Sequence, residues 1–219
     1  MNKRRPFVFF LLFLTLCSFY PHKIKIRSSS KTIINLIIVA HPDDESIFAG
    51  NEILNNTYYI VCITNGNNPI RKKEFEKMLI ATNNTGTLLS YPDKTNGERN
   101  DWSTISNEIE KDLSAIIASN KWDKIVTHNP QGEYGHIQHK RTNELVTNVV
   151  KQQNLQEKLY YFAPYFQAID EPEHTKVLTA DEISAKIKLL AIYSSQSKII
   201  KKLYHILDYE ELSPYQENP

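Results

Sequence analysis

At 219 residues the chain suits one domain with a substantial core, and 41% hydrophobic and 23% charged residues is an ordinary globular composition. A formal net charge of +1 supplies no field that would favour nucleic acid. Two cysteines, Cys17 and Cys62, make neither a disulfide framework nor a zinc-finger spacing.

Lys3, Arg4 and Arg5 precede an almost wholly apolar run from Phe7 to Tyr20. As a helix that run reaches roughly 21 Å, short of the ~30 Å hydrocarbon core of a bilayer. Residues 1–20 therefore read as a signal peptide or a short signal anchor, and the anchor is favoured because no small-x-small cleavage site stands out. Residues 21–32 read as a linker, and Lys23, Lys25, Arg27 and Lys31 within it leave the orientation open. The domain proper is expected over 33–219.

From there strands alternate with helices. Asn35 to Ala40 is apolar and β-branched and predicts a buried strand. A helix is expected over Asp44 to Leu54, a strand over Tyr58 to Thr64, a turn at Asn65 to Pro69 and a helix over Ile70 to Thr82. A short strand follows at Thr87 to Leu89, then polar loop from Tyr91 to Asp101. Ser103 opens a helix with Ile105, Ile109, Leu113, Ile116 and Ile117 at helical spacing. A strand at Lys124 to Thr127, a helix from about Gln138 to Lys151, a strand at Leu159 to Ala163 and a helix over Asp181 to Ser194 complete the pattern, with a peripheral C-terminus. Such alternation argues an α/β fold with a mostly parallel sheet covered on both faces.

Two clusters carry chemistry. His41-Pro42-Asp43-Asp44-Glu45 follows the first strand directly, and the segment from His128 to His139 follows a later one. Ligands of open α/β sheets gather at the C-terminal ends of strands. A hydrolytic zinc site needs three nitrogen or oxygen ligands and an open position, a carboxylate to take a proton from water, and a group facing the developing oxyanion. His41 and one aspartate from the first cluster, with His136 and His139 from the second, can meet that demand. His136 and His139 lie three apart at a helix start and so share roughly one face. Helix capping is the competing use of Asp43 or Asp44. The same residue types also spell the facial triad of non-haem iron oxygenases, but the alternating pattern is not the sheet-rich fold that reading needs.

Ala40-His41-Pro42-Asp43-Asp44-Glu45 resembles the signature of the PIG-L/LmbE-like zinc de-N-acetylases, and His128-Asn129-Pro130 with Gly132 to His139 resembles that family's second motif. Weaker echoes are Thr64 to Asn67, Arg71 with Glu74, and Lys188 with Tyr193 to Gln196. The resemblance spans about residues 33 to 200. It implies a Rossmann-like three-layer fold and removal of an N-acetyl group from an N-acetylglucosamine-type sugar. By the same resemblance His41, Asp44 and His139 are the metal ligands, Asp43 is the general base, and His136 stabilises the oxyanion, with Asp43 or His136 protonating the leaving amine. Tyr134, Arg71 and Asn129 are substrate-binding, and Glu45 is structural. The cofactor implied is Zn2+, with Fe2+ compatible with the ligand set. One departure matters: many members carry Asp where this chain has Gln138, and Asp there could raise the pKa of His136 as an amide cannot.

The substrate expected is N-acetylglucosaminylphosphatidylinositol, met by a chain anchored in an endoplasmic-reticulum-like membrane as part of glycosylphosphatidylinositol (GPI) biosynthesis. Deacetylation of a soluble glycoside by a secreted chain and a catalytically silent, membrane-tethered sugar-binding domain are the alternatives. No nucleic acid partner is expected.

Overall fold

In the computed structural model the described residues are 35–163, 165–167 and 176–217. The signal or anchor and linker expected over 1–32 lie outside them. Among the described residues no helix is long and apolar enough to cross a membrane.

The opening apolar run forms β1 (Asn35–Val39), the centre of the sheet. It is followed by α1 (Asp44–Asn55), β2 (Tyr58–Thr64), α2 (Pro69–Ala81) and β3 (Thr85–Tyr91). After α3 (Ser106–Ala118) come β6 (Lys124–Thr127), α4 (Ile137–Gln152), β7 (Leu159–Phe162), α5 (Ala180–Leu190), α6 (Ser197–Lys202) and β8 (Leu212–Pro214). The six-stranded sheet has the order β3-β2-β1-β6-β7-β8, parallel except for the antiparallel edge strand β8. Succession runs outward from β1 to β3 and then resumes at β6 on the other side of β1. That reversal opens a crevice at the C-terminal ends of β1 and β6.

Alternation along β1 feeds two cores. Ile37 and Val39 join Ile47, Phe48, Ile53, Phe75 and Met78 from α1 and α2, with Leu189 and Leu190 of α5. Leu36, Ile38 and Ala40 join Ile109, Leu113 and Ile117 of α3 and Val146 and Val149 of α4. Side chains of β1 are buried on both faces, so its sequence is a continuous apolar run.

Two expectations are corrected. The polar stretch Tyr91 to Asp101 is not plain loop: it contains a small hairpin of β4 (Lys94–Thr95) and β5 (Glu98–Arg99). Asn96 and Gly97 turn it with φ of 54° and 86°, as tight hairpins require. The C-terminal segment is not peripheral, because Leu203, Ile206 and Leu207 are buried in the core beside α1 and α5.

Glu210 adds a further tie. The first helix breaks at Ala49 (φ −141°, ψ 31°), and the Asn51 and Glu52 N–H groups donate instead to the Glu210 carboxylate at 3.0 and 2.6 Å. Lys186 of α5 balances that charge at 2.9 Å. Its stem fills the space over Gly50, where a Cβ would stand 2.8 Å from Lys186 Cγ. The buried lysine of α5 is thus Lys186, whereas Lys188 is exposed.

Candidate metal centre

Where β1 ends, the backbone is held from several sides. The Ala40 carbonyl accepts from Thr64 N–H and Oγ1, and the His41 N–H donates to Asp44 Oδ2 at 2.7 Å. Asp43 then adopts φ 137°, a conformation that costs of order 1–3 kcal/mol in a residue with a Cβ. The surroundings enforce it. Its N–H donates to Glu45 Oε2 at 3.1 Å, its carbonyl accepts Ser46 and Ile47 N–H, and Arg71 Nη2 donates to its Oδ1 at 3.1 Å. The same Arg71 nitrogen also donates to the Pro42 carbonyl. Glu45 is itself buried and accepts from Tyr193 Oη at 2.6 Å and Ser46 Oγ at 2.7 Å.

The loop after β6 supplies the histidines. Gly132 and Gly135 adopt φ of 66° and 90°, and the loop returns to α4 with His136 as its N-cap. Glu133, buried within it, is the organising carboxylate. Its Oε2 accepts His139 Nδ1–H at 2.5 Å and His128 Nδ1–H at 2.9 Å, and its Oε1 accepts Asn129 N–H at 3.0 Å. A carboxylate bound to one ring nitrogen fixes the tautomer and frees the other as a ligand. His139 Nε2 is accordingly buried with no hydrogen-bond partner among the described residues, 3.4 Å from Asp44 Oδ1. Its ring stands 5.4 Å from that of His41.

Gln138 fixes the other imidazole. Its Nε2 donates to the Pro92 and Asp93 carbonyls, so Oε1 must be the atom facing His41 Nε2 at 2.7 Å. The lone pair of His41 is then on Nδ1, 3.2 Å from Asp44 Oδ2. The Gln138 amide group thus engages His41 and not the adjacent His136 ring. Among the described residues the His136 ring hydrogen-bonds the Gln138 backbone N–H, accepting it on Nδ1 at 3.2 Å.

These donors fit a divalent cation. An orphaned imidazole lone pair, a second lone pair on His41 and a carboxylate face one another with second partners behind both rings. Two overlapping triads of ligand atoms, His41/His136/His139 and Asp44/His128/His139, each fall within 4.8 Å. His128 is the weaker donor, because its Nε2 already accepts Ala40 N–H at 3.1 Å.

The electrostatics separate the two neighbouring aspartates. Burial pushes Asp43 up to about 7, with Arg71 opposing and Asp44 assisting. Burial also acts to raise Asp44, but the neighbouring His139, His41 and His128 rings hold it well below the usual carboxylate range. Burial and the neighbouring His139 and His41 push His136 down to about 2, leaving a neutral ring whose remaining N–H is a donor. Burial and the Asp44 and Asp43 charges raise Tyr134, which keeps its proton.

A cavity of about 410 Å³ opens on this cluster. His41, Asp43, Asp44, Tyr134 and His136 line it together with Asn68 and Arg71 of the β2–α2 side, Lys94 and Arg99 of the hairpin, and Gln196 and Ile199 near α6. Arg71 is buried, with Nη1 unpartnered among the described residues. Asn129, expected to bind substrate, is buried outside the cavity lining and braces the loop: its Oδ1 accepts Glu133 N–H and its Nδ2 donates to the Ala163 carbonyl. The remote echoes meet in space, since Glu74 of α2 accepts Ser195 N–H at 2.8 Å and Ser195 Oγ at 2.6 Å. Sequence reasoning missed Glu133 and His128; an acid between two histidines of one loop was the available signal.

Residues 36–150 match the family model of PIG-L, described as GlcNAc-PI de-N-acetylase. An uncharacterised protein of Acanthamoeba polyphaga mimivirus is 28% identical over 204 residues, covering 84% of this chain and 80% of that protein. A probable N-acetylglucosaminyl-phosphatidylinositol de-N-acetylase of Schizosaccharomyces pombe is 30% identical over 130 residues; the match covers 53% of this chain and about half (51%) of that protein. Among solved structures, N,N'-diacetylchitobiose deacetylase from Pyrococcus horikoshii superimposes with a TM-score of 0.62 at 22% identity, covering 81% of this chain and 76% of that one. The 4-carboxy-2-hydroxymuconate hydratase GalB from Pseudomonas putida does so with 0.58 at 12% identity, covering 80% and 84%. At these identities the structures establish a shared α/β fold, and a fold that carries both a deacetylase and a hydratase leaves the chemistry to the side chains.

Proposed function

The chain belongs to the PIG-L family, and on that premise we propose that it is a metal-dependent hydrolase that removes the N-acetyl group from an N-acetylglucosamine-type sugar. The observation that carries this reading is the buried, unpartnered Nε2 of His139 facing Asp44 and His41, beside an aspartate whose pKa is pushed up to about 7 at the foot of an open cavity.

His41, Asp44 and His139 would hold the cation, Zn2+ by preference, with Fe2+ compatible with the same nitrogen and oxygen donors. A bound divalent ion supplies an acidified water and polarises a carbonyl. The chain's own residues do the rest. Asp43 takes the proton of the attacking water, and Arg71 holds its carboxylate in place. The neutral His136 ring and the Tyr134 hydroxyl donate hydrogen bonds to the oxyanion that forms on the acetamide. As the carbon–nitrogen bond breaks, Asp43 returns its proton to the leaving amine, and acetate and a free amino sugar depart. Asp43 is favoured over His136 in the acid role, because burial and the neighbouring rings push the His136 pKa down and leave that ring neutral.

We further propose N-acetylglucosaminylphosphatidylinositol as the substrate. The description of the matching family, the name of the fission yeast relative and the cavity-lining Lys94, which has no ion pair among the described residues, support that choice. The N-terminal apolar segment would then anchor the chain at an endoplasmic-reticulum-like membrane. A soluble N-acetylglucosaminyl glycoside is the second reading, favoured by the substrate named for the superimposing deacetylase. An acetate-release assay across lipid-linked and soluble N-acetylglucosaminyl compounds, with and without chelator, tests both. Release that chelator abolishes supports the hydrolase; no release from any compound with added zinc removes it and favours a silent binding domain.

A further inference from the structure

One surface beside the cavity has no role in this chemistry. At the start of α2, Lys72 and Lys73 are exposed next to the cavity-lining Arg71. Across the Glu74–Ser195 contact lies α6, whose apolar residues Ile199 and Ile200 pack inward while Lys198, Lys201 and Lys202 are exposed. None of these five lysines forms an ion pair among the described residues. No acidic residue occurs from Ser194 to Leu207. Two large apolar side chains are exposed on these segments: Ile70 at the start of α2 is 61% exposed and Tyr204, just beyond α6, is 58% exposed.

We infer that this rim, the start of α2 together with α6, docks on an anionic phospholipid surface and turns the cavity mouth toward it. The inference rests on the lipid-linked reading for its purpose but on charge and exposure for its evidence. Unpaired lysines interspersed with an exposed aliphatic and a tyrosine form the pattern that an anionic bilayer interface accepts, with the ammonium groups at the headgroups and the apolar tips between them. The topology gives such a contact a task. The chain enters β1 at the end of the sheet opposite the cavity, so a tether joined there does not by itself aim the cavity at a membrane. A second contact at the mouth does.

The test compares the full chain with a Lys198→Gln/Lys201→Gln/Lys202→Gln variant on phosphatidylcholine vesicles with and without 30% phosphatidylserine. Basic residues near the N-terminus contribute equally to both proteins, so the difference between them is the readout. Each lysine at an anionic surface is worth about fivefold in partitioning. The variant should therefore lose one to two orders of magnitude on the phosphatidylserine vesicles, with a smaller loss at high salt and little change on phosphatidylcholine. Amide exchange over residues 69–73 and 197–204 should slow only in the wild type on anionic vesicles. Equal partitioning of the two proteins, or no protection of either segment, overturns the inference. Retention on a single-stranded RNA without gain from phosphatidylserine overturns it in favour of nucleic acid. Acetate release from a water-soluble N-acetylglucosaminide, run in parallel, separates the two claims: its absence with docking intact sinks the hydrolase reading alone, and its equality in both proteins with docking lost leaves that reading standing.

Discussion

Replacing Glu133 by glutamine isolates the buried carboxylate that organises the histidines. Glu133 accepts three N–H groups, two from imidazoles on Oε2 and one from the Asn129 backbone on Oε1. A carboxamide has one accepting atom and one donating atom, so it cannot serve both positions. If its oxygen stays with the imidazoles, its NH2 confronts the Asn129 N–H, and a buried donor is left unpaired at a cost of about 1–3 kcal/mol. If its oxygen turns to Asn129, both imidazoles must move their protons to Nε2, and His139 loses the lone pair aimed at the cation. Either way the negative charge behind the ring is gone. Loss of such an outer partner lowers metal affinity about 10–100-fold, or roughly 1.4–2.7 kcal/mol. Zinc titration against a chromophoric chelator measures the first effect. Thermal unfolding measures the second, expected as a fall of roughly 2–12 °C for a chain of this size. A variant that binds zinc within twofold of wild type and melts at the same temperature would refute the tautomer argument.

Other outcomes follow from the same geometry. Asp43→Asn should lower kcat by about 10²–10⁴-fold while the metal content stays at the wild-type level. Acetate release and elemental analysis on one preparation check both halves. Asp43 works as a base only when ionised, so kcat/KM should fall as pH drops through its pKa, at or below about 7 because a bound cation lowers it further. Arg71 lowers that pKa, so Arg71→Gln should move the acid limb to higher pH; a limb that stays in place or moves down contradicts the Arg71–Asp43 coupling. Away from the cavity, Lys186→Met leaves Glu210 buried and unpaired, and chemical denaturation should show a loss of about 3–5 kcal/mol. A loss below about 1 kcal/mol would mean that the pair does not hold the break in α1.

Much of this was legible in the chain because the strands are buried on both faces and the helices are amphipathic. Asn35 to Ala40 reads as a strand from its β-branched run alone, and the two His-rich segments at strand ends mark the crevice. The hairpin at 94–99 was hidden because its strands are two residues long and carry no apolar alternation; only Asn96-Gly97 betrays it. Glu210, Lys186 and the tyrosine at 193 could not be placed from sequence, since each acts on a residue more than 20 positions away through a buried polar contact. Gln138 shows the same limit on a smaller scale. Adjacency suggested His136 as its partner, but the helix start carries its side chain to His41, 97 residues earlier.

The central claim is that one divalent cation is held by His41, Asp44 and His139 beside the base Asp43. Metal content per chain, measured side by side on wild type, His139→Ala and Asp43→Asn after dialysis against zinc and removal of excess, tests it most directly. About one equivalent is expected in wild type and in Asp43→Asn, and little in His139→Ala. Full retention of zinc by a folded His139→Ala variant, or none by wild type, would contradict it.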